Sequence, residues 1–158
     1  MIFVTVGTQP QPFKRLFDKL ELLVSNDVIK EKIIAQVGMN VLQEGKIQSF
    51  DYLPLQEMYN YMKSADLIIS HGGTGTIITA LKMGKKVIGV PRLSEYGEHV
   101  NNHQVDLITI LSREKHIIPL FDIDSMENAI AESKNFVPVP FKSGQKELIA
   151  DIKSFIDK

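Results

Sequence analysis

The stretch from Asp66 to Pro91 constrains the fold more than any other part of this chain. It reads as a buried strand over 66–70, a loop His71-Gly72-Gly73-Thr74-Gly75, a helix over 76–83 closed by Gly84, and a strand over 87–90 stopped by Pro91. A Val/Ile strand, a short glycine loop, a helix and another Val/Ile strand make a βαβ unit, whose strands lie parallel and need helices on both faces. The alternation extends both ways. A strand over 2–6 leads through Gly7-Thr8-Gln9-Pro10-Gln11-Pro12 into a helix carrying Phe13, Leu16, Phe17, Leu20, Leu23 and Val24. Strands near 33–37 and 47–52 precede a helix with Leu55, Met58, Tyr59 and Met62. A helix over 99–113, a short strand at 117–118 and a helix over 125–134 follow. The expected fold class is α/β: a single Rossmann-like domain with a parallel sheet wound on both faces.

At 158 residues, 44% hydrophobic and 23% charged, with no linker or repeat, the chain reads as one domain over 1–158. Its 18 Lys+Arg against 19 Asp+Glu, without a block of either sign, argue against nucleic-acid binding by bulk electrostatics. The absence of cysteine removes disulfides, thiolate metal sites and cysteine nucleophiles together. Strand-length apolar runs, one starting directly after Met1, lead to the expectation of a soluble chain without a signal peptide or spanning helix, and the lack of cysteine is compatible with a reducing cytoplasm, the expected location. The segment 137–158, with extended Pro138 and Pro140 and a helix bearing Leu148, Ile149, Ile152, Phe155 and Ile156, lies outside the motif-bearing core. It either docks a partner or packs on the domain's own sheet.

Ligands of open parallel sheets bind beyond the carboxyl ends of the strands, and two loops are suited to that position. Gly72, Gly73 and Gly75 let backbone N–H groups approach an anion at a helix start, where Thr74 and Thr76 add hydroxyls; a tight turn using glycine for geometry alone is the plainer alternative. Neither Gly-x-x-x-x-Gly-Lys-Ser/Thr nor a first-loop Gly-x-Gly-x-x-Gly occurs, which argues against a P-loop NTPase and an NAD enzyme. Gly7 and Thr8 could line the other side of the same crevice. The second loop, Glu95-Tyr96-Gly97-Glu98-His99-Val100-Asn101-Asn102-His103-Gln104, mixes carboxylate, imidazole and amide groups suited to sugar hydroxyls. His99 and His103, four apart on an expected helix, raise the question of zinc, but Val100 stands where a zincin has its glutamate and no third ligand follows. His71 is open between a charge-binding role and a structural donor, and His116 reads as structural.

In this order, Ile2-Phe3-Val4-Thr5-Val6-Gly7-Thr8, the run from Ala65 to Thr76, Val90-Pro91-Arg92 and Tyr96 to Gln104 resemble the donor-binding subunit of bacterial two-component polysaccharide glycosyltransferases. Those subunits are similar to the C-terminal half of family 28 GT-B enzymes and to the soluble subunit of the N-acetylglucosaminyltransferase of N-glycan assembly. The resemblance covers about residues 1–112. It implies that Gly7, Thr8, Gly72, Gly73, Thr74, Gly75 and Thr76 hold the diphosphate of a UDP-sugar, and that Tyr52 and Leu53 meet the uracil. It further implies that Glu98, His99, Asn102, His103 and Gln104 read the donor sugar, with His71 and Glu98 as catalytic groups. His99 stands in place of the family's glutamine, Thr79 in place of a ribose-binding glutamate, and Lys14 in place of an aspartate after Phe13.

The implied reaction is inverting transfer of a hexose from UDP to a lipid-linked saccharide in exopolysaccharide or capsule synthesis. It needs no metal or cofactor, the UDP-sugar being substrate. The general base and acceptor site would come from a membrane-anchored partner subunit, holding this chain at the inner face of the membrane. Self-association of the isolated chain is a further expectation. The alternatives are an epimerase-like hydrolase acting alone and a non-enzymatic nucleotide-sugar-binding module.

Overall fold

The computed structural model describes residues 1–142 and Ala150. The expected helix over 148–156 therefore lies outside the described residues, apart from Ala150, as does most of the expected docking segment. The chain runs β1 (Ile2–Thr5), α1 (Lys14–Ser25), β2 (Ile33–Gln36), β3 (Ile47–Phe50), α2 (Leu55–Ser64), β4 (Leu67–His71), α3 (Thr74–Lys82) and β5 (Lys86–Val90). A 3-10 turn (Ser94–Tyr96), α4 (His103–Arg113), β6 (Ile118–Pro119), a 3-10 turn (Ile123–Ser125) and α5 (Met126–Asn135) follow. The six strands pair in the order β3-β2-β1-β4-β5-β6, every pairing parallel. The single α/β domain with a parallel sheet is thus the one expected from the alternation of elements.

Side chains alternate across each strand, so each strand feeds two cores. Val4 and Ile69 join Leu16, Leu20 and Met126 on one face, whereas Phe3 and Ile68 join Met62, Ile77 and Ile108 on the other. A fully buried leucine or isoleucine contributes about 2 kcal/mol, and these two layers hold the strands in register. The chain winds one way from β1 to β2 and β3, and the other way through β4, β5 and β6. That reversal leaves a crevice between the carboxyl ends of β1 and β4, flanked by the end of β5.

The helix expected from His99 begins only at His103. Gly97, at φ +68°, ends the preceding 3-10 turn in the left-handed region, and Asn101 Oδ1 accepts the His103 N–H at 3.2 Å. These local bonds spend residues 97–102 on a loop, so His99 and His103 do not share a helical face as their spacing suggested. In the other direction α3 starts two residues early, at Thr74 rather than Thr76. Among the described residues, no helix is long and apolar enough to cross a membrane.

Candidate functional site

His71 ends β4 in the middle of the sheet and points its imidazole across the crevice. The ring is buried, and Nδ1 lies 3.4 Å from the Thr5 carbonyl of the neighbouring strand. A carbonyl can only accept, so Nδ1 carries the proton of the neutral ring and Nε2 carries the lone pair. A Cβ on Gly7 would sit 2.6 Å from His71 Nε2, and a Cβ on Gly73 would overlap the same atom. Two of the loop glycines are therefore hydrogens facing a ring wedged between β1 and α3. Burial first, and the Arg92 charge second, push the His71 pKa down to about 4, so the imidazole is neutral at neutral pH.

The anion-binding capacity lies one step further along than the glycine pattern suggests. The Gly72 N–H donates to Gln104 Oε1 at 3.2 Å and the Gly73 N–H to the His71 carbonyl at 2.7 Å, so neither amide of this expected diphosphate loop is free. Thr74, Gly75 and Thr76 form the first turn of α3, where N–H groups have no intrahelical acceptor; the ladder begins with Ile77 N–H to Gly73 O at 3.1 Å. No acidic side chain occupies that turn, and a Cβ on Gly75 would meet nothing within 4 Å. Three donors at the positive end of α3 thus open onto the crevice that Gly7 and Thr8 face from β1.

The polar run after β5 divides into groups that build the loop and groups that stay accessible. Glu98, expected as a catalytic and sugar-reading group, is buried: Oε1 accepts from Arg15 Nε at 2.7 Å, and Oε2 accepts from Arg15 Nη2 at 3.0 Å and from the Leu93 N–H at 2.9 Å. That forked pair consumes the carboxylate, which makes Glu98 a positioning residue in this geometry. Gln104 is likewise turned inward, its Oε1 accepting from Gly72 N–H and from Arg92 N–H at 2.9 Å, which joins the glycine loop to the end of β5. Asn102 Oδ1 accepts from the Ser94 N–H, and His99 Nδ1 from the Asn101 N–H at 3.3 Å. His99 and His103 are half-buried and Asn102 is exposed, so these three remain able to meet a ligand. No group of three or more His, Asp or Glu side chains placed to hold a metal ion occurs among the described residues.

Tyr52 is exposed and Leu53 half-buried in the turn after β3, at the same edge of the sheet. Gln36, buried at the end of β2, donates from Nε2 to the Gly7 carbonyl at 3.4 Å and accepts the Leu53 N–H at 3.3 Å, linking that turn to the β1 loop. Sequence reasoning overlooked Gln36, Arg15 and the structural role of Arg92. A glutamine closing the otherwise apolar strand Ile33-Ile34-Ala35 and an arginine directly after a strand-ending proline were the available signals. Arg15 carried none, since it reads as a surface residue of α1.

The chain with this all-parallel sheet is similar to known proteins in sequence and in fold. Residues 1–156 match the family described as "Glycosyltransferase family 28 C-terminal domain". The chain belongs to this family. It is 28% identical over 144 residues to the "UDP-N-acetylglucosamine transferase subunit ALG13" of Yarrowia lipolytica, covering 80% of this chain and 67% of that protein. It is 33% identical over 134 residues to the protein of the same name from Mus musculus, covering 73% of this chain but 10% of the mouse protein. Among solved structures, the fold is similar to ALG13 determined by NMR, with a TM-score of 0.62 at 19% identity, covering 96% of this chain and 94% of that one. It is also similar to Acinetobacter baumannii MurG, with a TM-score of 0.60 at 13% identity, covering 98% of this chain and 49% of that one. The domain of this family 28 member therefore has the architecture found in GT-B glycosyltransferases.

Proposed function

We propose that this chain binds UDP-N-acetylglucosamine and transfers its sugar, with inversion, to a lipid-linked saccharide held by a second, membrane-anchored polypeptide. The observation that carries the reading is the set of unpaired Thr74, Gly75 and Thr76 amides at the switch point of a family 28 domain. The name of these relatives, UDP-N-acetylglucosamine transferase subunit, supports both the donor and the need for another subunit. The exopolysaccharide or capsule setting implied by the resemblance draws no support from these relatives, and the acceptor is proposed only as a lipid-linked saccharide.

In this reading the diphosphate lies against the α3 amides and the Gly7-Thr8 loop, and the uracil lies at Tyr52 and Leu53. The sugar meets His99, Asn102 and His103, while Glu98 and Gln104 hold the loops that present them. As the glycosidic bond breaks, charge grows on the departing diphosphate, and preorganised amides with a helix dipole stabilise it without a resident metal. Neutral His71 presents Nε2 to the same space and gains a proton more readily once an anion lies beside it. The base that takes the acceptor proton belongs to the partner, which also holds this chain at the membrane.

Calorimetric titration of the purified chain with UDP, UDP-N-acetylglucosamine and UDP-glucose tests the donor assignment, and absence of UDP binding sinks it. Transfer to a membrane acceptor, assayed with and without the product of a neighbouring reading frame, tests the partner. Full transfer by this chain alone contradicts the two-subunit reading.

A further inference from the structure

We propose that Arg92 is a positioning residue of the donor site, its guanidinium setting the spacing between the β1 loop and the loop after β5. The inference rests on the donor site proposed above and assigns a role to a residue that lies wholly beneath its surface. Arg92 is completely buried. Its Nη2 donates to the Val6 carbonyl at 2.9 Å, and its Nη1 to the carbonyls of Gln11 at 2.7 Å and Glu98 at 3.0 Å. Val6 and Gln11 bracket the loop carrying Gly7 and Thr8, and Glu98 lies in the loop carrying the expected sugar-reading groups. One planar group thus fixes both ends of one wall of the site and a point on the opposite wall.

The residue type matters as much as the place. Three carbonyls approached from different directions need a rigid fork of donors, and a lysine ammonium at the end of a flexible stem cannot reproduce that geometry. Phe13 supports the fork from below, its ring centroid 5.0 Å from the Arg92 guanidinium and 5.1 Å from that of Arg15. All three Arg92 acceptors are neutral carbonyls, and the Glu98 carboxylate is engaged by Arg15 and the Leu93 N–H, so Arg92 has no carboxylate bonded to it. The surplus positive charge lies beside the crevice. The charged or titratable groups acting on His71 are Arg92 from the end of β5 and His99 from the loop beyond it, and both oppose protonation of the ring.

Fork and charge separate in two variants of the full chain, Arg92→Lys and Arg92→Gln. Arg92→Lys keeps the charge and loses the fork. We expect a folded protein whose UDP affinity in calorimetry falls about tenfold, whose Gly7 and Thr8 amide resonances move, and whose His71 imidazole titrates as in the parent. Arg92→Gln loses both, so its His71 titration midpoint rises as well. A purely structural residue would lower the melting temperature while leaving the UDP affinity of the folded molecules and the Thr8 resonance unchanged, and that result overturns the proposal. Should the glutamine variant fail to fold, the lysine variant alone decides. Should the parent fail to bind UDP, the donor assignment falls; an unmoved Thr8 resonance in Arg92→Lys would then overturn the positioning role, and a moved one would uphold it.

Discussion

Gly72 and Gly73 on one side, and Gly75 on the other, lie within four residues yet are glycines for opposite reasons. A Cβ on Gly72 would overlap Gln104, and one on Gly73 would overlap His71, whereas a Cβ on Gly75 would point into open space. The first two amides are spent within the fold, and the third opens the first turn of α3. A glycine-rich loop is therefore two devices in series. Its buried part makes room for the side chains that tie β1, β4 and β5 together, and its exposed part leaves backbone donors bare. Arg15, Glu98, Gln36 and Arg92 extend the buried part beneath the loops, while Thr8, Tyr52 and Asn102 extend the exposed part around them.

If that division is right, changes in the buried layer cost stability and changes in the exposed layer cost binding. The largest expected effect is Glu98→Ala, which strips Arg15 of its forked partner and removes the negative charge that favours the buried Arg92 guanidinium. Urea denaturation is expected to show a loss of about 3 kcal/mol, and a loss too small to measure would move Glu98 out of the buried layer. Gly72→Ala comes next, at about 2 kcal/mol, because the colliding atoms include the Gln104 Cα and cannot swing away. Gly73→Ala meets the His71 ring, which is held between β1 and α3, so it is expected to cost about as much stability as Gly72→Ala and more UDP affinity, read from parallel melts and titrations.

His71 sharpens the contrast through pH. Its folded pKa of about 4 lies below the ordinary 6.5, so the unfolded chain takes up the proton first as pH falls. Its contribution is fully present above about pH 6.5 and is lost progressively towards pH 4. Between pH 7 and pH 5.5 this amounts to about 1 kcal/mol, and it should vanish in His71→Asn when the two proteins are compared by denaturation across that range. The smallest effect on the fold belongs to Gly75→Ala. Alanine favours the helix, so stability is expected to rise by about 0.5 kcal/mol, while the new methyl stands in the proposed diphosphate site and is expected to weaken UDP binding. A variant that instead destabilises the protein and binds UDP normally would reverse the assignment of Gly75.

The strand–loop–helix succession was legible because burial on both faces demands continuous apolar strands, and the position of the crevice followed from the topology those strands must adopt. The start of α3 was legible to within two residues, Thr76 being expected and Thr74 found. The fate of Glu98 was not: a carboxylate in a polar loop looks the same on paper whether it faces a ligand or an arginine 83 positions away. The expected helix at His99 failed for a related reason, since Asn101 closes a turn that apolar periodicity does not register.

The order of elements, their two-faced burial and the presence of an anion-seeking helix terminus beside a polar loop were determined by the sequence, because each depends on spacing along the chain. Tertiary structure alone decided which amides remain free, which glycines make room for His71 and Gln104, and which polar residues of the site face inward. Those outcomes depend on partners such as Val6 and Arg92, or Thr5 and His71, that meet only when distant strands pair, and local sequence carries no record of that distance.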